Sequence, residues 1–150
     1  VSLNNGDDLP RTIHSEKQIQ VHVAPGITVD GRIDLVKRLA TDEVSIVDFK
    51  STAGAQAEEV TQDQLHVYAL GYAELTADGA DLVEVLNLDE DGRNTREVIQ
   101  DPLLADVRAR IAGAGDSLRR NDLPRLRAGS RQCQSCDLVG ICRPRSDLPT

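Results

Sequence analysis

Apolar and polar positions along the chain alternate most cleanly over residues 16–23 (EKQIQVHV). Ile19, Val21 and Val23 fall on one side, and Gln18, Gln20 and His22 on the other. A period of two predicts a half-buried strand, and Ala24-Pro25-Gly26 after it is a turn signal. Two further β-type runs, 29–39 and 44–50, are joined by the polar Thr41-Asp42-Glu43 and predict a hairpin. Residues 1–12 read as a loop, and 51–57 as a link of small residues. From 58 to about 76 the period changes to helical: Leu65, Ala69, Tyr72 and Ala73 share a face, and Glu58 and Glu59 suit a helix N-terminus. Gly71 weakens that helix modestly, and Ala77-Asp78-Gly79 ends it. Strands follow at 80–88 and 93–100 around the turn Asp89-Glu90-Asp91-Gly92. Asp101-Pro102 opens a second helix to about 121, with Leu103, Val107, Ile111 and Leu118 as its apolar stripe and Gly113 and Gly115 as a soft spot. The expected fold is α/β, a mixed central sheet flanked by helices in one domain over 1–150, with a cysteine-bearing C-terminal segment at 122–150.

Two residues break the apolar runs of the predicted hairpin. Asp34 sits in Ile33-Asp34-Leu35-Val36, and Asp48 sits in Ile46-Val47-Asp48-Phe49. A carboxylate in such surroundings is costly unless it is paired, hydrated or metal-bound. Lys50 is two residues past Asp48 and so shares its strand face. Mg²⁺ and Mn²⁺ take hard oxygen ligands in near-octahedral geometry, which two or three carboxylates with waters and a substrate phosphate would supply. Asp34 and Asp48, with Glu16 at the start of the preceding strand, are the candidate ligands, and Lys50 is placed to stabilise charge at phosphorus. Spacing alone reads equally as strand-end acids and a solvated lysine. Glu16 taken singly reads as a surface carboxylate.

Composition narrows the setting. The chain has 150 residues, 39% hydrophobic and 28% charged, with one Phe, two Tyr and no Trp, so aliphatic side chains must fill a globular core. The formal net charge of −8 argues against a broad basic platform for nucleic acid, although an acidic metal site contributes negative charge that a bound cation offsets. No apolar run reaches the roughly 20 residues of a membrane span, so no membrane partner is expected. The absence of methionine points to a segment of a longer protein.

Gln64 and Tyr68 stand four apart, on one face of the predicted helix. Both side chains can bind phosphate oxygens or base edges; a half-buried Tyr beside a solvated Gln is the plainer alternative. Cys133, Cys136 and Cys142 form C-x2-C-x5-C near Arg127, Arg131, Arg143 and Arg145. An odd, clustered set suits a reducing compartment better than a disulfide framework. The spacing favours a metal centre, iron–sulfur or zinc, one ligand short of four. His14, His22 and His66 carry no specific expectation.

In order along the chain, Glu16, Gly31-Arg32-Ile33-Asp34, Asp48-Phe49-Lys50 and the helical pair Gln64 and Tyr68 resemble the RecB-type branch of the PD-(D/E)XK nuclease superfamily. The resemblance covers residues 16–142. It implies a restriction-endonuclease-like core in which Asp34 and Asp48 are Mg²⁺ or Mn²⁺ ligands and Glu16 is a ligand or a positioning carboxylate. The Phe49 carbonyl would also face the metal. Lys50 would be the catalytic lysine, with Gln64 and Tyr68 near the DNA backbone. The cysteine spacing is similar to that of the iron–sulfur subgroup, where a distant upstream cysteine completes a four-iron, four-sulfur cluster. That cysteine and the family's N-terminal helix are absent here, which fits a fragment beginning after them.

The expectation is therefore a metal-dependent DNA nuclease, an exonuclease of repair or recombination. It would act on duplex ends or single strands in the bacterial or archaeal cytosol, joined to a superfamily 1 helicase. The alternatives are a non-catalytic nuclease-like DNA-binding or scaffolding module, and a small metal-knuckle domain in which only the cysteines matter.

Overall fold

The computed structural model describes residues 10–51, 58–76, 78–89, 94–127, 129–134 and 136–142. The expectations for residues 1–9, the link 52–57, Ala77, the turn at 90–92, Arg93, Arg143 and Arg145, and for the Glu58 and Glu59 side chains, lie outside what is described. The chain forms two compact units, Val1–Ala114 and Gly115–Thr150.

Five strands build one mixed sheet in sequence order: β1 (Arg11–Ala24), β2 (Ile27–Arg38), β3 (Val44–Lys50), β4 (Leu82–Asn87) and β5 (Asn94–Val98). The β1–β2, β2–β3 and β4–β5 pairs are antiparallel, and β3–β4 is parallel. A parallel pair needs a crossover, and helix α1 (Glu58–Leu75) supplies it. Helix α2 (Asp101–Arg119) follows β5. This is the mixed sheet flanked by helices that the alternation predicts.

The core follows the two periodicities. Ile19 and Val21 of β1, Ile33 and Val36 of β2, Val44 and Ile46 of β3 and Val83 of β4 pack against Leu65, Ala69 and Tyr72 of α1. Each such aliphatic side chain contributes about 1.5–3 kcal/mol on burial. Gln18, Gln20 and His22 are exposed, as the alternation requires. A second cluster joins Val23, Leu70 and Val107, with Val67, Leu103 and Ile111 packed against it, so α2 docks on α1 and the β1–β2 hairpin. Gly71 makes the helix–sheet approach possible. A Cβ there would stand 2.6 Å from Ile19 Cδ1 and 3.2 Å from Val21 Cγ2, so its small cost in helix propensity is set against tight packing.

Two expectations need correction, and one feature was not expected. The first strand starts at Arg11, within the expected loop, because Arg11 pairs with Arg38 at the far end of β2; backbone pairing extends it without an apolar pattern. Leu118, expected in the apolar stripe of α2, is exposed; it belongs to the second unit, past the Ala114 that ends the first. The cysteine segment of the second unit contains two short helices, α3 (Arg131–Gln134) and α4 (Val139–Cys142), too short to show a period.

Candidate active site

The site lies where β2 and β3 part. Their ladder runs from Arg38↔Val44 to Leu35↔Val47. Asp34 and Asp48 are the next residue on each strand. Beyond that point a side chain replaces main-chain pairing: Asp34 Oδ2 accepts a hydrogen bond of 3.0 Å from the Phe49 N–H. Parting strands leave backbone groups over, and a carboxylate that takes one is held at a fixed place.

Asp48 is 4% exposed. Alternation along β3 puts it on the face of Val44 and Ile46, towards α1. Lys50, two residues on, brings its Nζ to 2.9 Å from Asp48 Oδ2. The Lys50 ammonium gives this buried oxygen a counter-charge, and no hydrogen bond to it is found among the described residues. Lys50 Nζ instead donates to Gln64 Oε1 at 3.2 Å, and Gln64 Nε2 donates to the Tyr68 hydroxyl at 2.7 Å. Gln64 and Tyr68 are one turn apart on α1. A continuous polar chain thus runs from Asp48 through Lys50 and Gln64 to Tyr68.

The structure therefore brings together Asp34, Asp48, Lys50, Gln64 and Tyr68. Glu16 is placed differently. Its neighbours Ser15 and Lys17 pair with Leu35 and Ile33, which flank Asp34, but its carboxylate is exposed and lies 3.8 Å from Arg32 Nη1. Its φ of 49° is a left-handed conformation, uncommon for a residue with a side chain. Among the described residues no three His, Cys, Asp or Glu side chains gather as a metal-binding group. Two carboxylates still fit Mg²⁺, which is commonly held by one or two carboxylates, with waters and substrate phosphates completing the shell. The donorless Asp48 Oδ2 is an oxygen such a cation would satisfy.

The same result bears on the cysteines, all three of which are described. Cys133, Cys136 and Cys142 form no disulfide and do not gather as a metal-binding group. Cys133 Sγ is 3.0 Å from Ser130 Oγ, and Cys142 N–H bonds to the Leu138 carbonyl. This arrangement does not fit a cluster held by these three residues.

Sequence reasoning missed a second polar constellation. Glu84 on β4 is 1% exposed. It accepts hydrogen bonds from Ser45 Oγ at 2.5 Å, Asn94 Nδ2 at 2.8 Å, and Lys37 and Arg96 at 3.3 Å each. Burial alone would raise its pKa. The bonds from Asn94, Ser45 and Lys37, with the Lys37 charge, outweigh that and bring it down to about 2. Val83, next to it, packs towards α1, so Glu84 points to the opposite face, behind the site. The signal was present: Glu84 is a lone acid in the apolar run Leu82-Val83-Glu84-Val85-Leu86, the feature that marks Asp34 and Asp48. Among the described residues, no helix is long and apolar enough to cross a membrane.

Comparison with known proteins bears on the fold and the family. The structure named SSO0001 superposes with a TM-score of 0.55 at 18% identity, covering 87% of this chain and 59% of its own. A candidate exonuclease from Eubacterium rectale gives a TM-score of 0.49 at 12% identity, over 87% of this chain and 52% of its own. The chain thus spans 52–59% of the length of these two structures. A search of curated proteins gave no match. The profile of the PD-(D/E)XK nuclease superfamily matches residues 3–143, nearly the whole chain and every residue of the parting-strand site. On that match the chain belongs to the PD-(D/E)XK nuclease superfamily.

Proposed function

We propose that this domain is a divalent-metal-dependent DNA nuclease that hydrolyses phosphodiester bonds. The observation that carries the reading is the buried Asp48 Oδ2, to which the described residues bring a counter-charge but no hydrogen bond, with Asp34 at the next position on the facing strand. Asp34 and Asp48 would hold Mg²⁺ or Mn²⁺. Such a cation, when bound, polarises phosphoryl oxygens and acidifies a coordinated water. The chain's own residues do the rest. Asp34 is fixed by the Phe49 N–H. Lys50 presents its ammonium beside Asp48, where it offsets negative charge developing at phosphorus. Gln64 and Tyr68 orient Lys50 from α1 and offer their polar groups to the DNA backbone.

We extend the reading to exonucleolytic action in DNA repair or recombination, within a larger cytosolic, helicase-bearing protein of the RecB type. The ordered motif resemblance supports it. A cluster at Cys133, Cys136 and Cys142 would require rearrangement and a fourth ligand from outside these residues. A broad visible absorbance in the anaerobically purified full-length protein tests that point.

The test of the nuclease reading uses the full-length protein with end-labelled DNA and Mg²⁺ or Mn²⁺. Cleavage in the wild type and its loss in Asp34→Ala and Lys50→Ala, with unchanged thermal unfolding, are expected. Retained cleavage in either variant overturns the assignment. One observation favours a second reading, a non-catalytic module: the Glu16 carboxylate lies out by Arg32. A Mn²⁺ titration that shows no binding at Asp34 and Asp48 would select it.

A further inference from the structure

Gly31 opens the Gly31-Arg32-Ile33-Asp34 motif, yet its backbone is that of an ordinary strand residue, since the positive-φ glycines are Gly26, Gly79 and Gly129. Its requirement is space. A Cβ built on Gly31 would lie 2.9 Å from Tyr68 Cε1 and 3.5 Å from both Tyr68 Cδ1 and Ile19 Cγ1. Real carbon–carbon contacts sit at about 3.5–4.0 Å, so an alanine would push the near edge of the ring back by roughly half an ångström or more. Cε1 is bonded to the carbon that bears the hydroxyl, so the hydroxyl moves with it. Ile19 is 2% exposed and packed in the core, which leaves the ring, at the half-buried end of the contact, as the part that gives way.

That hydroxyl is the last member of the polar chain. It accepts from Gln64 Nε2 at 2.7 Å, and Gln64 Oε1 accepts from Lys50 Nζ at 3.2 Å. A shift of the stated size, directed along the first bond, stretches it to about 3.2 Å, the end of the useful range, and so loosens the Gln64 amide that accepts from Lys50. We propose that Gly31 is a positioning residue: the space left by its missing side chain seats the Tyr68 ring, and through Gln64 that seat holds the Lys50 ammonium in place beside Asp48. The proposal rests on the nuclease reading for its consequence in turnover, but not for its geometry. It also gives a physical reason for the glycine of the β2 motif to accompany the tyrosine of the α1 motif: they are two sides of one contact.

The test has two independent readouts on the full-length protein. The first is cleavage of an end-labelled DNA duplex with Mg²⁺ by wild type, Gly31→Ala, Tyr68→Ala and the double variant. Gly31→Ala is expected to lower kcat by roughly 10- to 100-fold with little change in KM, as a misplacement of this size does. It should add less than about twofold to Tyr68→Ala, because residues that act through one contact are not additive. The second readout is the Lys50 ¹³Cε NMR signal, assigned by its disappearance in Lys50→Arg. Gly31→Ala and Tyr68→Phe should shift it in the same direction. An unmoved Lys50 signal in Gly31→Ala overturns the proposal. So does an equal kcat loss with and without the Tyr68 ring, or a Gly31→Ala chain that fails to fold, which would make Gly31 a packing residue. A wild type that cleaves no DNA refutes the nuclease reading, and the Lys50 signal then still decides the positioning.

Discussion

Replacing Asp48 by Asn separates a metal ligand from a structural ion-pair acid. At 2.9 Å from Lys50 Nζ, the gross attraction at an effective dielectric of 20 is about 6 kcal/mol. Against it stand the desolvation of a carboxylate that is 5% exposed and of an ammonium that is 22% exposed, several kcal/mol per buried ion. These contributions nearly cancel. Lys50 keeps Gln64 as a partner and some contact with water when the carboxylate is gone. Asp48→Asn should therefore change stability by less than about 2 kcal/mol in EDTA, with neutral or stabilising values expected. Mg²⁺ reverses the comparison. A ligand at about 100 times its Kd stabilises the folded state by ~2.7 kcal/mol, and the variant should lose that gain together with DNA cleavage. Urea unfolding of both proteins in EDTA and in saturating MgCl₂ measures all four values. If Asp48→Asn costs more than about 3 kcal/mol in EDTA and Mg²⁺ leaves the gap unchanged, Asp48 is a structural acid and the ligand argument fails.

Two more outcomes follow from the ion pairs. Glu84 has its folded pKa lowered from 4.5 to about 2, so its contribution is present above about 4.5 and is lost as pH falls towards 2. The difference corresponds to about 3 kcal/mol. Urea unfolding across that range should show the stability gap between wild type and Glu84→Gln closing as pH drops; a gap that stays constant refutes the assignment. Lys50→Met removes the charge that competes with a cation for Asp48 Oδ2. Cleavage should be lost while Mn²⁺ affinity, followed by water-proton relaxation, stays level or rises, and a tenfold weakening would contradict the proposed geometry.

The order and type of the main elements were legible because burial and period coincide in them. Ile19, Val21 and Val23 alternate and are buried, and Leu65, Ala69 and Tyr72 recur at helical spacing and face the sheet. Legibility ended where main-chain pairing or position in the fold took over from pattern. Arg11 is in β1 because Arg38 is opposite it, and Leu118 is exposed although it continues an apolar stripe. In the site, Asp48, Lys50, Gln64 and Tyr68 were visible as residue types at strand and helix spacings. Their junction was not, because it depends on α1 crossing over β3. Gly31 belonged to the motif, but its reason is a ring 2.9 Å from a Cβ it does not have. A sequence does not display an absent atom.

Asp48 and Glu84 show how one sequence signal leads to two kinds of site. Each is a lone acid in an apolar strand, and each is almost fully buried. Glu84 is surrounded by donors, and its lowered pKa records that the protein itself stabilises the charge. Asp48 has a lysine beside it but one oxygen without a donor, so its stabilisation is incomplete in the chain alone. A folded protein tolerates that deficit where something outside the chain removes it. The two acids lie on opposite faces of adjacent strands, so the fully satisfied one braces the sheet from behind while the deficient one faces the gap between β2 and β3. Satisfaction of the carboxylate, rather than its burial or its sequence context, is what separates Asp48, the proposed ligand, from Glu84.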